Sequence, residues 1–317
     1  MNCRHCQTPL TNVFLDLGNA PPSNAYLSAA DLQKPEVTFP LRLFVCDTCR
    51  LVQTEDYAAA DDLFRADYAY FSSTSKSWLD HAARYVDMIT KRLSLTKDSF
   101  VIELASNDGY LLKNFVTADI PCLGIEPTDD TAAAGEKLGV PVVRSFFGAA
   151  LGQQLAREGQ AADLVIGNNV YAHVPDINDF TQGIAAVLKP NGVCTLEFPH
   201  LMRLVEFKQF DTVYHEHYSY LSLLAVSQIF KAAGLRVFDV EELPTHGGSL
   251  RVYGCLKGAR FEQSTAVDAI RTEEHTRGMD RDDFYADFQA QADRIKNGLL
   301  GFLLEQHNAG KTVAAYG

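Results

Sequence analysis

The sequence predicts an α/β protein, with a mostly parallel sheet covered by helices on both faces and a small loop-and-strand module at its N-terminus. Three observations predict it. From about residue 99, short apolar runs alternate with segments whose apolar residues recur at helical spacing. The last two of these runs stand close together in sequence, which fits a final strand antiparallel to its neighbour. Residues 1–60 differ, with two Cys-x-x-Cys pairs, turn signals and short strand-like runs.

In that first module, Gly18-Asn19 and Pro21-Pro22-Ser23-Asn24 read as turns and residues 41–45 as a strand. A polar run at 68–75 leads into a helix whose apolar face is Trp78, Ala82, Tyr85, Val86, Ile89 and Leu93. Strands are expected at 100–104, 122–127, 141–143, 163–167 and 192–198, with helices between them, such as 179–188. A helix at 224–233 follows, then strands at 235–243 and 249–256 joined by Pro244-Thr245-His246-Gly247-Gly248. Residues 264–308 form a polar helical stretch, and 311–317 read as a further strand cut off at its turn, so another α/β unit is expected after it.

With 28 Lys and Arg against 40 Asp and Glu, the 317 residues carry a net charge of −12 and no basic cluster. Such a chain gains nothing from counterion release, so nucleic acid is not an expected partner. Apolar residues at 47% and charged residues at 21% indicate a globular chain, and its length suggests two domains. No apolar run approaches the roughly 18 residues of a membrane span, and Met1-Asn2-Cys3-Arg4 leads into no signal-peptide core. A cytoplasmic protein with no membrane partner is expected. The seven cysteines are an odd number without a secretion signal, so paired cysteines read as metal ligands before disulfides.

Cys3, Cys6, Cys46 and Cys49 form two such pairs with 39 residues between them. Each pair offers two thiolates from one tight turn, and together they complete a tetrahedral zinc site with Zn–S of about 2.3 Å. A redox pair needs one motif at the start of a helix, and neither pair sits there. Four cysteines leave no open coordination position, so the zinc is expected to be structural. His5 reads as a bystander, and Cys122, Cys194 and Cys255 as buried apolar residues.

In an open α/β sheet, ligands bind beyond the carboxyl ends of the strands. The first such loop here is Glu103-Leu104-Ala105-Ser106-Asn107-Asp108-Gly109, and Glu126 ends the second strand 23 residues after Glu103, a spacing suited to a ribose diol. The loop is not G-x-G-x-x-G, and Asp108 with Glu103 would repel a pyrophosphate. S-adenosylmethionine, with its sulfonium and amino group, suits the same carboxylates. Glu103, Ala105, Asn107, Asp108, Gly109, Glu126, Asn168 and Asn169 are the expected cofactor residues. A tight turn with a solvated strand end is the alternative. Tyr68 and Tyr70 fit either a cap on the cofactor pocket or packing between domains.

His173 follows the fourth strand, and Tyr214-His215-Glu216-His217 follows the fifth. In an extended segment Tyr214 and Glu216 share one face and the two histidines the other, so a bend is needed to gather His173, Tyr214, Glu216 and His217. Acid–base chemistry is the favoured reading, against buried aromatics or a second metal site. His246, Ser249 and Arg251 fit a phosphate contact or plain turn chemistry.

Taken together, these pieces resemble the deoxysugar C-methyltransferases. The resemblance is carried by the four cysteines, residues 68–73, 103–109, 124–127 and 169–174, Tyr214-His215-Glu216-His217, and His246-Gly247-Gly248-Ser249-Leu250-Arg251. It implies a zinc-binding module (1–66), a class I Rossmann-like adenosylmethionine domain (67–260), and a helical linker (261–317) entering a C-terminal Rossmann-like domain that stops short here. It also implies a nucleotide-linked keto-sugar as substrate, its diphosphate gripped largely by that C-terminal domain, and proton handling at Tyr214, Glu216 and His217 with His173 nearby. Carbon becomes nucleophilic once a proton beside a ketone is removed. The expectation is that His217 takes the proton, oriented by Glu216, that Tyr214 and His173 hydrogen-bond the oxyanion, and that the carbanion then attacks the methyl group. An O- or N-methyltransferase, or a non-catalytic zinc and cofactor module, are the competing readings.

Overall fold

The computed structural model describes residues 1–23, 27–55 and 71–315. Three strands open the chain: β1 (Asn12–Ala20), β2 (Phe39–Val45) and β3 (Val52–Thr54). Then come β4 (Val101–Leu104), β5 (Cys122–Ile125), β6 (Val142–Val143), β7 (Ala162–Asn168) and β8 (Leu188–Pro199). The last are β9 (Ser219–Tyr220), β10 (Leu235–Leu243) and β11 (Ser249–Leu256).

The main sheet runs β10-β11-β8-β7-β4-β5-β6. Neighbours are parallel from β8 through β6, and β11 is antiparallel to both β8 and β10, as its short connection requires. All four residues of β4 are buried, as a strand covered on both faces must be. The strand order reverses between β4 and β7, which places a ligand crevice at their carboxyl ends.

Sequence signals set the helix boundaries. Ser75 caps Lys76–Leu93 by accepting the Trp78 amide, and that helix buries Ala82, Tyr85, Val86 and Ile89. Asp176 caps Ile177–Val187 in the same way. Leu223–Ala232 is capped by Ser222, and its first two amides also donate to Glu274 of helix Thr265–Arg277 at 2.7 Å. Helices Ala149–Arg157 and Ile177–Val187 approach closely at Gly152, where a Cβ would lie 2.4 Å from the Gly183 carbonyl oxygen. Gly152→Ala is therefore expected to cost about 1–3 kcal/mol, read as a lower denaturant midpoint at unchanged slope.

The N-terminal sheet, β1-β2-β3-β9, borrows its last strand from the middle of the chain, with Val52 paired to Tyr220 and Gln53 to Ser219. Its other face is closed by the C-terminal helix Phe288–Asn308, whose Phe288 ring stacks on Phe14 at 4.8 Å. Two expectations are corrected here. Gly18-Asn19 is no chain reversal: β1 continues through it with an irregular register, Gly18 taking φ 76°. Residues 311–315 form no strand, having no partner strand among the described residues. Among those residues no helix is long and apolar enough to cross a membrane.

Candidate active site

The loop after β4 keeps the backbone of a glycine-rich turn with few glycines. Ala105, Asn107 and Gly109 take φ of 54°, 49° and 74°, so left-handed residues alternate, two of them bearing side chains at some steric cost. The fold holds them there. Asn107 donates its amide to Glu126 at 2.9 Å, while its own side-chain oxygen accepts the Ser72 amide at 2.9 Å. Asp108 Oδ2 accepts the Ser73 amide at 3.0 Å. Glu126, the residue after β5, also accepts the Thr128 amide at 2.9 Å and the Thr128 hydroxyl at 2.5 Å on Oε1, which leaves a lone pair on Oε2 for a ribose hydroxyl.

Glu103, Asp108 and Glu126 are all buried. Burial, and then the charges of Glu126 and Asp108, push the Glu103 carboxyl well above the ordinary range. Glu103 Oε2, Ser106 Oγ, Asp108 Oδ1, the side-chain amide of Asn168 and Asn169 Oδ1 are buried without a hydrogen-bond partner among the described residues. Such groups are costly unless a ligand satisfies them. A cationic ligand rich in donors fits this crevice and a pyrophosphate does not, so the residues present suit adenosylmethionine. Tyr68 and Tyr70 lie outside the described residues.

Across the crevice, a turn closed by the His217 amide on the Tyr214 carbonyl supplies the required bend. It brings the Tyr214 and His217 rings to 4.1 Å and His173 to 4.6 Å from His217. His217 donates Nδ1–H to the Thr212 carbonyl at 3.0 Å, so Nε2 is the acceptor of the Tyr214 hydroxyl at 2.9 Å. Burial, and then His173, hold the His217 imidazole well below the usual range, so the ring is neutral. Burial likewise takes His173 down to about 4, a hydrogen bond to the Glu216 main chain opposing it.

Two expected roles change. Glu216 does not orient His217, because both ring nitrogens are taken by Thr212 and Tyr214; its carboxylate accepts Ser23 Oγ at 2.7 Å instead. His173, neutral and bonded to the Glu216 main chain, has spent its one N–H and is not a donor to an oxyanion. His215 turns away to the Pro40 carbonyl at 3.2 Å.

The sequence reading missed Glu197. It lies near the carboxyl end of β8, level with Asn168 on β7, and is fully buried, accepting from Arg251 at 2.8 Å, Thr245 at 3.0 Å and bonding His81 at 3.0 Å. Burial opposes its charge, yet His81 and Arg251 hold it below the ordinary carboxylate range. A lone acid at the carboxyl end of an apolar strand was the available signal. Arg251 is committed to Glu197 and Glu241 and lies over the Tyr85 ring, and Ser249 donates to Thr245, so turn chemistry, not phosphate binding, describes those two residues.

The Sγ atoms of Cys3, Cys6, Cys46 and Cys49 lie within 4.8 Å of one another, with spacings of 3.5 Å (Cys3 to Cys49) and 3.4 Å (Cys6 to Cys46). A tetrahedron with Zn–S of about 2.3 Å has edges of about 3.8 Å, so the donor set fits zinc. This knuckle also reaches the loops that carry His173 and His217. Arg4, between two of the cysteines, donates to the Pro175 carbonyl at 2.6 Å and the Thr54 carbonyl at 3.2 Å and lies over the Tyr218 ring. Thr54 in turn donates its amide to Tyr218 and its hydroxyl to the His217 carbonyl. His5 bonds Asn178 at 2.8 Å and is no part of the sulfur cluster.

Comparison with known proteins agrees with this layout. Residues 3–64 match a family described as "Putative zinc binding domain", 78–240 one described as "Methyltransferase domain", and 244–317 one described as "C-methyltransferase C-terminal domain". C-methyltransferase NovU of Streptomyces niveus is 33% identical over 315 residues, covering 99% of this chain and 75% of that protein. Among solved structures, the 1,6-didemethyltoxoflavin-N1-methyltransferase of Burkholderia thailandensis with S-adenosylhomocysteine aligns with TM-score 0.46 and 16% identity, over 65% of this chain and 96% of that one. Magnesium protoporphyrin IX methyltransferase from Synechocystis with the same bound product aligns with TM-score 0.43 and 13% identity, over 56% and 81%. The chain belongs to the C-methyltransferase family: it is an S-adenosylmethionine-dependent methyltransferase, with a Rossmann-like sheet joined to an N-terminal zinc-binding module.

Proposed function

We propose that this enzyme methylates the carbon beside the ketone of a nucleotide-linked keto-deoxysugar, through an enolate. The observation that carries the reading is His217: its Nδ1–H is tied to Thr212, which leaves a neutral Nε2 as a base beside the acid-lined crevice. Nε2 takes the α-proton when the acceptor displaces the Tyr214 hydroxyl. That hydroxyl then donates to the oxygen on which the enolate charge gathers. His173, edge-on to His217, helps keep the base neutral before the reaction. The role of Glu216 is to hold its turn to Ser23. Glu103, Ala105, Asn107, Asp108, Gly109, Glu126, Asn168 and Asn169 hold the cofactor. Adenosylmethionine, when bound, supplies an electrophilic methyl group and leaves as a neutral thioether.

Incubation with labelled adenosylmethionine and a panel of nucleoside-diphosphate keto-deoxysugars tests the reading. Label in a new C–CH₃ group is expected. Label on oxygen or nitrogen, or no transfer to any sugar, would overturn it.

The raised Glu103 carboxyl adds a pH signature. A cation stabilises the carboxylate, so adenosylmethionine binding should tighten as pH rises through that raised value, with a proton released on binding. S-adenosylhomocysteine lacks the sulfonium and should respond less. Calorimetry from pH 5.5 to 8 should show the affinity ratio of the two rising with pH in the unsubstituted protein and staying level in Glu103→Gln.

A further inference from the structure

The loop between β10 and β11 lies at the reacting edge of the sheet. Because β11 is antiparallel, its first residue Ser249 pairs with Pro199 at the end of β8 and with Leu243 at the end of β10. Residues 244–248 therefore sit beside the carboxyl ends of the parallel strands, where ligands bind. The loop is tied down on three sides: Thr245 donates to Glu197 at 3.0 Å, Gln209 to the Gly247 carbonyl at 3.0 Å, and the His200 amide to the Gly248 carbonyl at 3.0 Å.

His246, Gly247 and Gly248 take φ of 51°, 75° and 119° in succession. The two glycines accept this freely, but a histidine does so at a cost that glycine would avoid. A strained residue with a side chain is kept when that side chain is used. The His246 ring is open to solvent and makes no hydrogen bond with a described residue. It meets the Trp78 ring edge-on at 5.5 Å. Trp78 in turn stacks on His81 at 4.9 Å and packs at 6.1 Å from Tyr110, the residue after Gly109 in the cofactor loop. One indole thus spans the distance from the cofactor loop to His246.

We propose that His246 is an acceptor-contacting residue, which hydrogen-bonds a hydroxyl of the sugar while the Trp78 indole forms the wall behind it. This rests on the keto-sugar reading given above. A hydroxyl suits the site better than a phosphate: the Glu197 carboxylate holds the neighbouring Thr245 at 3.0 Å, and its charge opposes an anion beside this loop.

Trp78 is the single tryptophan of the chain, so its fluorescence reports on this wall. The experiment titrates nucleoside-diphosphate keto-deoxysugars into protein holding S-adenosylhomocysteine, and measures turnover of the same sugars with adenosylmethionine. The unsubstituted protein should show a saturable fluorescence change. His246→Gly relieves the backbone strain and should melt within a few degrees of the parent, yet need about tenfold more sugar in both assays, with kcat within about twofold. His246→Asn tolerates the left-handed backbone and keeps a hydrogen-bonding group, so it should restore most of the affinity. Parent-like affinity and KM in His246→Gly would overturn this inference alone. If no sugar perturbs Trp78 or is methylated by the parent, the keto-sugar reading fails and this inference falls with it.

Discussion

His217→Asn is expected to lower methyl transfer by about 10²–10⁴-fold and to leave adenosylmethionine affinity within about twofold. Asparagine is the informative choice because its amide N–H can still reach the Thr212 carbonyl that the imidazole now holds at 3.0 Å. What it lacks is the basic nitrogen at 2.9 Å from the Tyr214 hydroxyl. Deuterium exchange isolates the step: the parent should wash the acceptor's α-proton into solvent, and the variant should not. Turnover and exchange at the parent rate would remove His217 from the role of base. The same geometry sets a pH profile. Burial and His173 hold His217 well below 6.5, so kcat should stay level as pH falls past 6.5 and decline only at distinctly lower pH. Stability follows the same sign. The unfolded chain takes up protons on these histidines near 6.5 while the fold resists, so the stability they contribute is complete above 6.5 and lost as pH falls towards about 4, the value for His173.

Much of this arrangement could be read from local patterns. Strands β4, β5 and β7 and residues 193–198 of β8 are largely apolar runs because both their faces are covered, and β10 and β11 stand close enough in sequence to be antiparallel. The four cysteines needed only their spacing. What escaped the reading depends on distant partners. Whether Glu216 would meet His217 depended on the turn closed by Tyr214 and His217, which sends the two side chains in different directions. Glu197 sat in plain view at the end of an apolar run, but its value comes from Arg251 and His81, 54 and 116 residues away. The cofactor loop hid its geometry because Ala105 and Asn107 adopt backbone angles that are commonly given to glycine. No local pattern could show that β3 pairs with residues 219–220, so the zinc module looked self-contained when it shares a sheet with the segment bearing the Tyr214–His217 turn.

That shared sheet makes the zinc site the second place where a small change should have a large effect. Cys49→Ser removes one of four clustered thiolates, and a three-thiolate site should lose zinc to a chelator that leaves the parent loaded. Structural zinc contributes about 10–16 kcal/mol in small zinc domains, more than enough to unravel a short module when it is lost. The damage should not stay there. Cys3 accepts a hydrogen bond from Gln53 at 3.3 Å, and Gln53 pairs with Ser219 two residues beyond His217. Arg4, inside the same knuckle, holds the carbonyl of Pro175 two residues beyond His173. Loss of the metal therefore loosens both loops that gather the His173, Tyr214 and His217 rings, whereas the cofactor loop is held by β4, β5 and the Ser72 and Ser73 amides. The expected result is a protein that still binds adenosylmethionine within about threefold of the parent but turns over at least tenfold more slowly, since misplacement by about 1 Å costs on the order of 10²-fold. Cys122→Ser, outside the cluster, should keep its zinc and serves as the control. Zinc content by atomic absorption, calorimetry and turnover on the same samples decide it: a zinc-free Cys49→Ser protein with parent kcat would show that the knuckle does not position the loops of His173 and His217 for the reaction.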